Sequence, residues 1–179
     1  MLTRKAITVG NLRKLWRIGL IALAASAICS GIAAAGPQNG FGAYVGLIGA
    51  AEGQSNTKGF SLGMDAQFTS KDNWSLNPYL MVSGERDSAS GSLADGLAGL
   101  QIRRWFDDWF VGVHGFVHDR LVFAGGSVQS SSYGPGMGVV AGFELADGWG
   151  TELQTNLFES TATSDTRNAF QLSLTYRWH

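Results

Sequence analysis

Apolar and polar side chains alternate with a period of two along most of the sequence after residue 40. In residues 60–68 every even position is apolar and every odd position is small or polar. Because successive side chains of a β-strand point to opposite faces, this pattern predicts a strand with one apolar and one polar face. It recurs near residues 74–83, 94–103, 109–118, 136–145, 149–157 and 170–178, and a weaker strand is expected at residues 40–52. The sequence therefore predicts an all-β fold of eight strands.

The connections between these strands are of two kinds. Three are short and end in tryptophan: KDNW at 71–74, FDDW at 106–109 and ADGW at 146–149. Asp, Asn and Gly suit tight hairpin turns. The other connections are expected near residues 53–57, 86–92, 119–132 and 160–167, and most are longer and rich in Ser, Thr and Gly. Tight turns at one end and looser loops at the other predict an antiparallel up-and-down barrel.

Two kinds of eight-stranded barrel fit this pattern. A soluble lipocalin-like barrel encloses a ligand with its apolar face, whereas a membrane barrel turns its apolar face to lipid. Small residues crowd the polar face, and only Lys58 and Lys71 follow residue 35 as lysines, so that face would make a poor solvated exterior. Strands of about ten residues also match the length that a tilted strand needs to cross hydrocarbon. We therefore expect a transmembrane barrel with a polar interior, and a soluble barrel is the alternative.

Aromatic side chains gather at the predicted turn end. Indole and phenol rings combine an apolar body with a polar edge, which favours the boundary between membrane and water. We expect an interfacial aromatic girdle formed by Trp74, Trp109, Trp149, Tyr176 and Trp178. The alternative is that these rings cap the core of a soluble barrel.

The N-terminal 35 residues have the pattern of a secretory signal. Five Lys or Arg residues precede residue 18, an apolar run follows at 18–28, and small residues lead to Ala35. The apolar run is shorter than the ~20 residues of an ordinary spanning helix. We expect residues 1–35 to be a cleaved signal peptide and residues 36–179 to be the barrel domain, with an N-terminal membrane anchor as the alternative.

Charge and cysteine content exclude several classes of function. Residues 36–179 carry eight basic and fourteen acidic side chains, and this balance argues against nucleic-acid binding. The single cysteine, Cys29, falls in the predicted signal, so no disulfide, Cys-rich zinc site or thiol nucleophile is expected in the barrel.

His114 and His118 share a face of one strand but lie about 13 Å apart along it. This distance is too long for both to bind one metal ion. No metal site or cofactor is predicted.

Residues 40–179 resemble the small outer-membrane β-barrels of the OmpA transmembrane-domain, OmpX and OmpW type. The resemblance lies in GLQIR at 99–103, before a turn, and in the C-terminal LSLTYRW at 172–178. Residues 97–121 are also similar to a hairpin of the intimin and invasin barrels. The resemblance implies an outer-membrane β-barrel of a Gram-negative bacterium, with periplasmic termini and a structural or surface-interaction role. It implies three partners: outer-membrane lipids including lipopolysaccharide, the barrel assembly machinery, and an extracellular ligand of the loops.

Charged residues with a lumen-facing phase cluster near the turn end. They are Arg103, Glu144, Glu152 and Arg177. Two cations and two anions in one confined layer should pair, because isolated buried charges are costly. We expect a lumen charge network that plugs the barrel. Separate water-filled contacts, or a narrow channel for small solutes, are the alternatives.

His118 is the single candidate catalytic residue. It precedes Asp119 near the loop end, beside serines of neighbouring loops: Ser90, Ser92, Ser130 and Ser131. A Ser, His and acid set could hydrolyse an ester or transfer an acyl chain of lipopolysaccharide, as in the barrel enzymes that modify lipid A. A structural hydrogen-bonding role is the alternative.

Overall fold

The chain folds into a closed barrel of eight antiparallel strands. The computed structural model describes residues 37–52, 55–87, 91–124, 127–145, 147–159 and 166–178. The strands are β1 (Gly40–Glu52), β2 (Ser55–Thr69), β3 (Trp74–Asp87), β4 (Gly91–Phe106), β5 (Trp109–Ala124), β6 (Ser127–Glu144), β7 (Trp149–Glu159) and β8 (Thr166–Trp178). Each strand pairs with the next, and β8 pairs with β1 to close the barrel. The predicted all-β, eight-stranded up-and-down architecture is confirmed.

The predicted signal peptide lies outside the described residues. Within the described part of the chain, no helix is long and apolar enough to cross a membrane.

Tight turns connect the strands at the end of the barrel where β1 begins and β8 ends. Asn73, Asp107 and Gly148 have φ angles of 58°, 57° and 81° in these turns. This left-handed region is open to glycine and is tolerated by Asn and Asp better than by most residues. The backbone amide of Arg177 also donates to the carbonyl of Gly148 at 2.8 Å, which ties the last turn to β8.

The loop predicted at residues 119–132 is largely wrong. β5 continues to Ala124 and β6 begins at Ser127, with Arg120 paired to Ser132 and one register shift between Val122 and Phe123. The serine-rich run lacks the alternation of a half-buried strand. Its backbone can still form the ladder, because ladder hydrogen bonds do not require an apolar side chain at every second position.

The apolar side chains lie on the outside of the barrel. Phe60, Leu62 and Val113 are 68%, 60% and 57% exposed, whereas Asn77 and Gln154 in the interior are fully buried. A soluble lipocalin-like barrel has the opposite arrangement. An exterior of this kind is stable only in contact with an apolar medium, because water penalises continuous apolar surface.

Aromatic rings inside the barrel lie directly over glycines. A Cβ atom added to Gly63 would overlap the ring of Tyr44, and one added to Gly136 would overlap the ring of Phe116. Gly63 and Gly136 are the direct cross-strand partners of Tyr44 and Phe116, so each glycine lets a large ring lie over the neighbouring strand.

Gly63→Ala is expected to destabilise the barrel by about 1–3 kcal/mol, because the new methyl group displaces the ring of Tyr44. Gly84→Ala is the matched control, since nothing lies within 4 Å of a Cβ atom there. Urea unfolding in lipid vesicles, followed by tryptophan fluorescence, measures both variants. Equal stabilities would contradict the close packing of Tyr44 on Gly63.

Candidate functional site in the barrel interior

Charged side chains in the barrel interior form two layers with an apolar layer between them. Along β4, from the loop end to the turn end, Asp95 is followed by Leu97 and then by Arg103, all buried inside the barrel. On β8, Arg167 is followed by Ala169 and, after the polar inward residues Gln171, Ser173 and Thr175, by Arg177. Both strands therefore carry a charged residue near each end of the interior.

The layer nearest the tight turns, the turn-side network, consists of Asp65, Arg103, Glu144, Glu152 and Arg177. Arg177 donates both Nη groups to the Asp65 carboxylate at 3.1 Å each, and its Nε to Glu144 Oε2 at 3.1 Å. Arg103 Nη2 lies 2.7 Å from Glu152 Oε2 and 3.5 Å from Asp65 Oδ2. Asp65 therefore joins the two arginines into one network.

The four charges expected from the sequence are brought together in this network, as the pairs Arg103 with Glu152 and Arg177 with Glu144. Asp65 was missed. Its lumen-facing phase was visible in the alternation of residues 60–68, but its partners come from distant parts of the chain. Only closure of the barrel places it near Arg177, whose side chain reaches past Gly42 on β1.

Neutral amides satisfy further oxygens of the turn-side network. Asn77 donates its amide to Asp65 Oδ2 at 3.0 Å, and the amide of Gln154 donates to Glu152. The guanidinium of Arg103 also lies 4.4 Å from the ring centroid of Phe110. Such contacts offset the desolvation of buried charges, which would otherwise exceed the gain from pairing.

The layer nearest the loops, the loop-side network, consists of Thr57, Glu85, Asp95, Arg120 and Arg167. The Nη1 atom of Arg167 lies 2.8 Å from Asp95 Oδ2, and its Nη2 atom pairs with the Glu85 carboxylate. Arg120 Nε lies 3.1 Å from Asp95 Oδ1, and the Thr57 hydroxyl donates to Glu85. All five side chains are buried.

Sequence reasoning missed the loop-side network. It assigned Arg120 and Arg167 to loops, where charged side chains need no partner. The available signal was their spacing: Arg120 continues the inward phase of His114 and His118, so a longer β5 would have placed it in the lumen.

An apolar belt lies in the interior between the two networks. It consists of Tyr44, Ile48, Ala50, Tyr79, Met81, Leu97, Phe116, Phe158 and Ala169. Phe158 and Phe116 meet edge to face with ring centroids 5.2 Å apart. The guanidinium of Arg167 lies 4.9 Å from the Phe158 ring centroid, so the belt also contacts the loop-side network.

His118 lies inside the barrel between Phe158 and the loop-side network. Its Nε2 is 3.3 Å from the carbonyl oxygen of Glu159, and its Nδ1 is 4.0 Å from Asp95 Oδ1. The ring meets Phe158 edge to face at 5.1 Å. In the described part of the chain no serine hydroxyl hydrogen-bonds to His118. Ser90 lies outside the described residues, and the other candidate serines are exposed: Ser92, Ser130 and Ser131.

His114 is held in the middle of the interior, away from His118. Its Nδ1 lies 3.0 Å from the Tyr79 hydroxyl, and its Nε2 lies 3.2 Å from the Thr155 carbonyl oxygen. Among the described residues, no group of three or more His, Cys, Asp or Glu side chains is arranged to hold a metal ion.

The predicted aromatic girdle lies on the outer face beside the tight turns. Its members are Trp74, Trp109, Trp149, Tyr176 and Trp178, each at or within two residues of a strand end. The four tryptophans are about half exposed. Tyr176 lies between two of them, with ring centroids 4.9 Å and 5.1 Å away.

No protein-family model and no curated protein matches the chain. Solved structures do match its fold. Neisserial surface protein A (NspA) aligns with a TM-score of 0.64 and 17% identity, over 82% of this chain and 99% of that chain. The N-terminal β-barrel domain of Pseudomonas aeruginosa OprF aligns with a TM-score of 0.50 and 10% identity, over 78% of this chain and 100% of that chain. Ail, the attachment invasion locus protein of Yersinia pestis, aligns with a TM-score of 0.50 and 11% identity, over 78% of this chain and 97% of that chain.

Sequence identities this low show a common fold and nothing finer. The alignments span nearly the full length of the matched barrels, and the strand count and antiparallel order agree with the expected architecture. The chain therefore has the fold of the small eight-stranded outer-membrane β-barrels.

Proposed function

We propose that the protein is an integral outer-membrane barrel whose interior is closed to solutes and whose loop end serves structure and interaction at the cell surface. The observation that carries this proposal is the stack of two paired charge networks with an apolar belt between them. The names of two structural neighbours refer to a surface protein and to attachment and invasion. They support a surface role.

The outer face supports residence in a membrane. Outward positions of β2 are apolar from Phe60 to Phe68, and those of β3 are apolar from Trp74 to Val82. Each stretch covers nine residues, close to the 9–11 residues that a tilted strand needs to cross hydrocarbon. The aromatic girdle would then lie at the periplasmic boundary, and the loop-side network near the cell surface.

Outer-membrane residence is tested by fractionation and by electrophoretic mobility. We expect the protein in the outer-membrane fraction, with different mobility in SDS before and after boiling, because a closed barrel resists SDS in the cold. Recovery from the soluble periplasm without a heat-dependent shift would contradict the proposal.

Closure of the interior is tested by conductance. The barrel reconstituted in a planar bilayer is expected to show no discrete unitary steps, because paired charges and buried rings project into the lumen at three levels. A larger water-filled porin serves as the positive control for the bilayer. Stable unitary steps from the purified protein would favour a narrow small-solute channel instead.

Two partners belong to this proposal. The barrel assembly machinery would recognise the last strand, whose outward side chains are all apolar or aromatic from residue 170 to residue 178. Lipids of the outer membrane would cover the apolar band. The extracellular loops would carry any ligand specificity, as loops on rigid scaffolds commonly do.

Expression of the protein is expected to leave the mass of lipid A unchanged. A serine nucleophile needs a histidine within hydrogen-bond reach, and in the described chain the His118 ring faces Glu159, Asp95 and Phe158 instead. Mass spectrometry of lipid A from cells with the wild-type barrel, with His118→Ala and without the protein checks this. A mass change present only with the wild type would establish a lipid A-modifying enzyme.

A further inference from the structure

Two cations face each other on the outside of the barrel near the loop end. Lys58 on β2 and Arg86 on β3 are direct cross-strand partners, and both side chains are exposed. Each lies at the edge of the apolar band: the next outward residue towards the turns is Phe60 on β2, and on β3 the apolar side chains begin at Val82.

Among the described side chains, this pair has no compensating charge on its own side of the barrel. Like charges placed directly opposite each other in a sheet are destabilising. Within the described part of the chain, outward positions of β1 to β4 carry no Asp or Glu, and neither Lys58 nor Arg86 forms an ion pair. Their other cross-strand neighbours are Gly49 and Ser92, which leave the surface around them open.

The two edges of the apolar band differ in chemistry. At the turn end, outward positions of β3, β5 and β7 begin with tryptophan, and the outward Arg104 of β4 lies over the Trp74 ring and donates to the Asp72 carbonyl. At the loop end, β2 and β3 present two cations that face each other. Aromatic rings suit a general membrane boundary, whereas clustered cations suit an anionic lipid surface, to which each Lys or Arg contributes favourably.

We propose that Lys58 and Arg86 together bind the phosphate groups of the outer-leaflet glycolipid, lipopolysaccharide. This inference rests on the proposed outer-membrane location. Side chains directly opposite each other have Cβ atoms about 5 Å apart, so both can reach one phosphate monoester. The guanidinium supplies a paired donor geometry and the ammonium a mobile point charge. The acyl chains then lie along Phe60 and Val82, and the phosphate removes the repulsion between the cations.

The site is confined to one side of the barrel. Outward positions at the loop end of β5 and β7 carry exposed Asp119 and Glu159. These carboxylates repel phosphate, so the lipid phosphate is expected to bind on the β2–β3 side.

Lipid binding by the detergent-purified barrel tests the proposal, with native mass spectrometry to count bound lipid. The probe is lipid A with two phosphates, and the comparison is the same lipid A after removal of its phosphates. We expect the apparent Kd for phosphorylated lipid A to rise roughly fivefold in Lys58→Gln or Arg86→Gln and about thirtyfold in the double variant. Lys71→Gln, which removes an exposed lysine in a tight turn, is the control and should leave the Kd unchanged.

Three results would overturn the proposal: unchanged affinity in the double variant, equal affinity for dephosphorylated lipid A, or equal affinity for phosphatidylglycerol with the same loss in the double variant. The last result would show a general anionic-lipid surface. Displacement of lipid A by inorganic phosphate at similar concentration would also count against a lipid-borne ligand. The charge-conserving variant Lys58→Arg with Arg86→Lys should retain binding. Cold SDS mobility verifies folding of every variant, and fractionation tests the outer-membrane proposal separately.

Discussion

Arg177→Ala is expected to lower the free energy of unfolding of the barrel by about 3–5 kcal/mol, the usual effect of removing one partner of a buried ion pair. Arg177 donates two hydrogen bonds to Asp65 and one to Glu144, and all three side chains are buried. Without the guanidinium, two carboxylates stay in the lumen with reduced compensation. Urea unfolding in lipid vesicles, followed by tryptophan fluorescence and by cold SDS mobility, measures the loss.

Lys71→Ala is the control for Arg177→Ala, because Lys71 is exposed in a tight turn and forms no ion pair with a described residue. Its effect is expected within about 0.5 kcal/mol of wild type. Similar stabilities of the two variants would rule out the turn-side network as a major source of stability. Arg177→Lys, which keeps the charge but loses the two-pronged contact with Asp65, should give an intermediate loss.

The two arginines of the turn-side network should not act independently. Both contact Asp65, Arg177 at 3.1 Å and Arg103 at 3.5 Å. Residues of one network typically show coupling energies of about 0.5–3 kcal/mol. The loss of unfolding free energy in the double variant Arg103→Ala with Arg177→Ala should therefore differ by that amount from the sum of the losses in the two single variants.

Arg167→Ala is expected to destabilise the barrel by a similar amount, about 3–5 kcal/mol. Arg167 is 1% exposed and pairs with both Glu85 and Asp95. Its removal leaves two carboxylates in the loop-side network with Arg120 as the cation that contacts Asp95. The same unfolding assay measures the effect, and Lys71→Ala again serves as the control.

Arg167→Ala and Arg177→Ala should be additive within about 0.3–0.5 kcal/mol. They belong to different networks with no carboxylate in common, and the apolar belt lies between them. A coupling energy well above that range would show that the two layers form one cooperative unit.

The strands could be predicted because one physical requirement repeats along the whole chain. A wall that is polar inside and apolar outside forces alternation with a period of two, as in residues 60–68. The residue types in the turns also predicted where three tight hairpins lie, because Asn73, Asp107 and Gly148 occupy backbone conformations that those residue types favour. The alternation does not predict the start of β6, because the serine-rich residues there do not alternate between apolar and polar.

The candidate site was predicted only in part, and the reason is the range of its contacts. Inward phase and distance from a tight turn are local properties, and they were enough to select Arg103, Glu144, Glu152 and Arg177. Asp65 and the loop-side network needed knowledge of which strands meet across the lumen and how far each strand extends. Asp65 and Arg177 are 112 positions apart in the sequence, so no local pattern predicts their contact.

The sequence by itself determined the strand number, the tight turns and the two chemical faces of each strand, because these depend on neighbouring residues. Tertiary structure alone decided which charges pair. Closure of β8 onto β1 and the register of each ladder bring distant side chains to the same level. The same registers place Lys58 opposite Arg86 on the outer face, a juxtaposition that depends on the alignment of two whole strands.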